Sequence, residues 1–237
     1  MRVAIMQPYF FPYLGYFQLI RSVDRFILFD DVQYIRHGWI NRNRILKPGE
    51  SWQYIVAPLQ KHAREDLISG VELMPGSEWK EKILRQLDHY RKKAPFYCET
   101  ISLLNECFAL TELNITRFNA YCLKLICQRL DLPFEIEISS EMNFNYDNVT
   151  DAGEWALRMC EQLKATSYIN PAGGQELFDR DKFNMANIKL YFLVPVLEPY
   201  DQKRNVFEAG LSILDVLMFN GIESTKRKIN TFVNTAL

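Results

Sequence analysis

The opening of the chain restricts the fold more than any other stretch. Val3 to Met6 is a short apolar run that stops at Gln7-Pro8, as a buried strand does when proline removes the next backbone donor. Tyr13 to Ser22 then sets Leu14, Phe17 and Ile20 at helical spacing, and Arg25 to Phe29 is a second apolar run that halts at Asp30-Asp31. Strand, loop, helix and strand in that order predict an α/β fold with a mostly parallel central sheet.

Further along, Lys47-Pro48-Gly49-Glu50 fits a type II turn between two antiparallel strands, of which Trp52 to Ala57 is expected to extend the sheet. From Ser77 to Leu130 the period turns helical, with Trp79, Ile83, Leu87 and Tyr90 on one face and Ile115, Phe118, Cys122, Leu125 and Ile126 on another. Phe134 to Ile138 alternates like a strand, and Asp151 with Glu154 forms a capping box for a helix carrying Trp155, Met159 and Leu163. Tyr168 to Asn170 and Ile188 to Val194 read as strands, and Ser212 to Phe219 as a last helix, capped by Ser212 and Asp215 and stopped by Gly221. The expected organisation is an N-terminal α/β portion over 1–75 holding the main site, a helical insertion over 76–132, and a portion over 133–237 that completes the same sheet.

Composition narrows the partner. Lys and Arg number 28 against 29 Asp and Glu in 237 residues, and no stretch collects charge of one sign. This argues against nucleic acid and anionic membranes and for a small molecule, with oligomer formation left open. The five cysteines, at 98, 107, 122, 127 and 160, make no C-x-x-C pair and suggest reduced, mostly buried thiols, with no metal site. With no apolar run of membrane-spanning length and no leader-like start, a cytoplasmic location is expected.

Chemistry-bearing residues gather where strands end. The turn containing Gln7, Tyr9, Gly15 and Tyr16 joins a strand end to a helix start, where free N–H groups attract a phosphate or carboxylate; its aromatics would equally serve a core. Asp30 and Asp31 end the second strand, positioned to take a proton, to hold Mg²⁺, or merely to cap the strand. Gln33, His37, Trp39, Asn41, Arg42 and Arg44 crowd into twelve positions. An extended chain there puts Arg42 and Arg44 on one face, placed to clamp a diphosphate, with Trp39 placed to stack on a ring. His37 is the first candidate for general base, although a lone histidine also serves as a structural hydrogen-bonder. Tyr168 with Gly173 and Gly174, and Tyr200 with Gln202, are candidate walls of the same cleft or plain loops.

Several of these stretches occur together in one order: Gln7-Pro-Tyr-Phe-Phe-Pro-Tyr-Leu-Gly-Tyr16, Phe29-Asp-Asp-Val-Gln33, Trp39-Ile-Asn-Arg-Asn-Arg44, Tyr97, Tyr168 with the Gly-Gly loop, Tyr200-Asp-Gln202 and Ser212-Ile-Leu-Asp215. Nearly end to end, the chain resembles the WbqC-like family. That resemblance implies association with O-antigen and related glycan gene clusters, and a role in attaching glycine or another acyl group to an amino sugar. Pro12-Tyr-Leu-Gly-Tyr16 also resembles in layout the H-x-G-H element of nucleotidylyltransferases, which implies a Rossmann layout of that kind. Tyr13 and Tyr16 stand where that element has the histidines that steady the phosphates of ATP.

The expectation for function is therefore an amide-forming transferase on a nucleotide-linked amino sugar. Its diphosphate would lie on Arg42 and Arg44, its ring near Trp39, and its amine beside His37 or Asp30. An adenylate made from ATP, a thioester or an aminoacyl-tRNA would supply the acyl group. The rivals are a glycosyltransferase and a sugar-nucleotide-binding protein that catalyses nothing itself.

Overall fold

A computed structural model describes residues 1–236 other than Glu50 and Asn148, and not the side chain of Ala236. The order is β1 (Arg2–Met6), α1 (Leu14–Ser22), β2 (Arg25–Leu28), β3 (Arg42–Leu46), β4 (Trp52–Val56), α2 (Glu78–Leu87), α3 (Tyr97–Phe108), α4 (Ile115–Arg129), α5 (Ala152–Gln162), β5 (Ser167–Pro171), α6 (Arg180–Met185), β6 (Lys189–Pro195), α7 (Ile213–Ile229) and β7 (Phe232–Ala236), with short 3-10 turns between some of them. Five strands form one sheet in the order β2-β1-β5-β6-β7, parallel throughout except for β7, which runs antiparallel to β6. This is an α/β fold of Rossmann-like layout.

Alternation along the strands sends side chains to two cores. Ala4, Leu28, Ile169 and Leu193 join α1, α7 and the helices of the central region on one face. Val3, Ile5, Ile27, Tyr168, Leu190 and Phe192 join α5 and α6 on the other. Helices on both faces bury the middle of the parallel strands, which is why those strands read as short continuous apolar runs. Gln18, fully buried on α1, donates to the carbonyls of Val196, Lys228 and Thr231 at 2.9 to 3.0 Å, tying α1 to the ends of β6 and α7.

Three expectations change. β4 does not extend the main sheet: it pairs only with β3, as a separate two-stranded hairpin. Gly49 in its turn has φ 86°, as a type II turn requires, while Glu50 lies outside the described residues. Phe134 to Ile138 forms no strand, because Ile138 makes a single parallel bridge to Leu28. Gly221, with φ 67° and ψ −178°, does interrupt the helix, but it is not the last: a further helical segment runs on from it to Ile229, and β7 follows.

Candidate functional site

Chain order fixes where a ligand fits. From β1 the chain steps through α1 to β2 on one side, whereas β5 and β6 lie on the other, so the order of strands reverses between β1 and β5. In open parallel sheets the crevice outside the carboxyl ends of the strands at such a point is where ligands bind. A cavity of about 340 Å³ lies there, bounded by Met6 at the end of β1, Pro171 at the end of β5 and Leu197 just beyond β6. Tyr9, Tyr13, Trp39, Asn43, Arg44 and Gly210 complete its wall.

The loops forming that wall are held by buried amides. Asn119 on α4 donates to the carbonyls of Pro8 and Ile40, both at 2.8 Å, and Asn43 donates to those of Phe10 and Phe11, both at 3.0 Å. Phe10 N–H donates to Trp39 O at 2.9 Å. Phe11 sits at φ 41°, an uncommon conformation for a side chain of its size, and its carbonyl also accepts the Ser212 hydroxyl at 2.7 Å. The central helices and α7 thus position Tyr9 and Trp39 from outside the sheet.

Among the described residues, Arg44 is the only charged one in the wall. Its Nη2 donates to Gly210 O at 3.1 Å, and its guanidinium carbon lies 5.6 Å from the Trp39 ring and 5.2 Å from the Trp52 ring. Cation–π contact holds such a group without neutralising it. The buried Nε has no hydrogen-bond partner among the described residues, so this cation retains unused donor capacity. Burial raises the phenols of Tyr9 and Tyr13 above their ordinary range, with mutual repulsion adding at Tyr9. Near neutral pH both are therefore hydrogen-bond donors rather than bases. Aromatic sides, one cation and no carboxylate suit a ring that carries an anionic group.

Of the residues singled out from sequence, Tyr9, Trp39 and Arg44 meet in this wall. Gln7 follows Met6, and its carbonyl accepts the Tyr16 hydroxyl at 2.9 Å. Tyr16 is buried with its ring 5.5 Å from that of Tyr9, which it supports from below. Gly15 serves packing: a Cβ there would stand 2.8 Å from Pro195 Cβ and 2.5 Å from the Tyr13 ring.

The remaining candidates lie outside the wall. Asp30 is buried and accepts from Ser139 Oγ, Ser140 N and Ser140 Oγ at 3.0 to 3.1 Å, so it anchors the segment after Ile138. Asp31 accepts the Tyr146 hydroxyl at 2.8 Å. Gln33 is exposed and donates to Arg64 O, and Asn41 bridges Tyr34 Oη and Ala57 O. His37 is exposed at φ 63°, and its carbonyl, with that of Gly38, receives Arg42. Arg42 lies 4.2 Å over Tyr54 and is turned back on its own loop, so no two-arginine clamp is assembled. Tyr168 is buried, its ring 5.7 Å from Phe183; Gly173 is open to solvent, and Gly174 packs on Asn170. Tyr200 and Gln202 turn towards Asp215. None of Asp30, His37, Arg42 and Gly173 lines this cavity. Met6, Tyr13, Asn43, Pro171, Leu197 and Gly210 were missed; the strand-end position of Met6, Pro171 and Leu197 was the signal available for them.

Among the described residues, no group of three His, Cys, Asp or Glu stands close enough to hold a metal ion, and no helix is long and apolar enough to cross a membrane.

Comparison with known proteins follows the same residues. The sequence model of the WbqC-like protein family matches residues 7–227. The chain belongs to that family. This WbqC-like protein is also 30% identical over 225 residues to the uncharacterized protein Rv1507c of Mycobacterium tuberculosis, covering 94% of this chain and 95% of that one. No solved structure matches it.

Proposed function

We propose that this WbqC-like protein acts in glycan biosynthesis on a sugar carrying a phosphate, with the sugar or base ring against Tyr9 and Trp39 and a phosphate oxygen on Arg44. The observation that carries this reading is the buried Arg44 Nε, left without a partner at the cavity between the ends of β1 and β5. An oxyanion would satisfy that donor through a charge-assisted hydrogen bond. The association of WbqC-like proteins with surface-glycan clusters supports the choice of a sugar over other anionic rings.

The reaction we assign is transfer of an acyl or aminoacyl group, glycine among them, to the amine of a nucleotide-linked amino sugar. Among the described residues the wall holds no imidazole or carboxylate, so the amine enters unprotonated; the acyl group arrives activated, as an adenylate or thioester, and the N–C bond forms as AMP or the thiol leaves, the amine's proton passing to it or to water. Incubation with nucleotide amino sugars and a preformed glycyl adenylate or glycyl and acyl thioesters, followed by mass spectrometry, tests this. Amide product supports acyl transfer, sugar transfer without an amine requirement replaces it with a glycosyltransferase, and no product counts against turnover. The same lack of a base favours a second reading, in which the protein binds the precursor and presents it to a partner enzyme.

A further inference from the structure

A second cleft, of about 150 Å³, opens at the far end of β3. Its lining includes Lys47, Lys93, Arg204 and His89, with Gln202 and Tyr90 at its base, and no carboxylate among the described residues. Arg44 and Leu46 alternate to the same face of β3, so one strand contributes to both cavities. The two are nevertheless walled by different residues, and nothing in the glycan reading uses the second.

We propose that this cleft binds one phosphate group, as inorganic phosphate or the terminal phosphate of a small ester. Three features support it. Arg204 is fixed in place, donating to the carbonyls of Lys47, Gly49 and Ser51 at 2.7 to 2.9 Å; it keeps its charge beside the cleft because carbonyls do not neutralise it. His89 Nδ1 lies 2.8 Å from Gln86 O, which as an acceptor fixes the proton on Nδ1, and the buried Nε2 has no partner. With the proton on Nδ1 that nitrogen is an acceptor, which the O–H of a hydrogen phosphate would satisfy. Gln202 and Tyr90, 3% and 1% exposed, form a rigid floor, each bonded to Asp215 behind it. That carboxylate is shielded by three donors, Tyr90, Tyr200 and Gln202, and does not line the cleft. Burial, reinforced by Arg204 and Lys93, holds the His89 pKa below its ordinary value, in keeping with a ring set among cations with no carboxylate in the lining among the described residues. The volume admits a tetrahedral oxyanion and is below the size of ordinary nucleotide pockets.

The test is a titration of the full chain with inorganic phosphate and, separately, glycerol phosphate, read by ³¹P line width and calorimetry. Saturable binding of either ligand is expected, with inorganic phosphate alone, or the ester as well, deciding the source. Lys93 is exposed, so Lys93→Gln leaves the fold intact; it should weaken binding about fivefold, the loss of one partly screened charge contact. His89→Gln should weaken it too, with melting followed to confirm folding. The binding that Lys93→Gln weakens should persist in Arg44→Gln. No saturable binding, binding indifferent to Lys93→Gln, or binding abolished by Arg44→Gln would overturn the proposal, and the last of these would place the phosphate in the first cavity instead.

Discussion

Tyr90 and Asp215, 125 residues apart in the chain, meet in the core through a hydrogen bond of 2.6 Å from phenol to carboxylate. The Tyr90 oxygen in turn accepts Leu46 N–H at 2.8 Å, and Asp215 also accepts Tyr200 Oη at 2.5 Å and Gln202 Nε2 at 3.1 Å. One carboxylate therefore joins α7, the β3 hairpin, the central helices and the loop after β6. Buried ionic groups are tolerated when donors surround them in this way.

This carboxylate should make stability depend on pH in an unusual direction. Burial raises the Asp215 pKa to about 6 from 3.8, despite the three donors that oppose the shift. The folded state holds this proton more tightly than the unfolded state, so the contribution is complete below the unfolded pKa and is lost as pH rises through the folded one. A shift of this size corresponds to roughly 3 kcal/mol. Urea unfolding of wild type and Asp215→Asn across pH 4 to 7 isolates it, because the other carboxylates are common to both. The difference between the two should move by roughly 2 to 3 kcal/mol against wild type as pH rises; a flat difference would refute the assignment.

Gly221 should tolerate no side chain. Its φ of 67° and ψ of −178° lie in a region open essentially to glycine, and an added Cβ would stand 2.7 Å from the Phe96 ring. Gly221→Ala is expected to cost about 2 kcal/mol or more, lowering Tm by about 4 to 8 °C. Calorimetry showing no loss would mean that α7 is continuous at this position.

Asn119 should couple the central helices to the cavity. Asn119→Ala strips the Pro8 and Ile40 carbonyls of their donor and should cost about 1 to 3 kcal/mol in urea unfolding. Because Tyr9 and Trp39 adjoin those carbonyls in sequence, ligand affinity at the first cavity should fall as well. Unchanged stability would show that the loops hold themselves in place.

How far the sequence revealed this arrangement depended on how local each signal was. β1, α1 and β2 were readable because period, proline and paired acids act over a few residues. Phe134 to Ile138 has the alternation of a strand, yet Ile136 is exposed and the segment meets its neighbour at one bridge only, so the pattern lacked a partner. β7 escaped because it is defined by pairing with β6, not by its own short, mixed composition. Arg42 and Arg44 share a strand face as the alternation required, yet one bends back to loop carbonyls and the other reaches the cavity, a difference set by tertiary neighbours. Asp215 occupied a capping position in sequence, while its side chain turned to Tyr90 and Tyr200.

Whether Arg44 receives the phosphate is decided by calorimetric titration of wild type and Arg44→Gln with nucleotide-linked amino sugars and sugar phosphates. Wild type should bind saturably, with affinity weakened about tenfold or more in Arg44→Gln, as expected when a charged donor to a phosphate is removed, and with Tm little changed. Equal affinity in the two proteins, or no binding of any phosphorylated sugar to wild type, would contradict it.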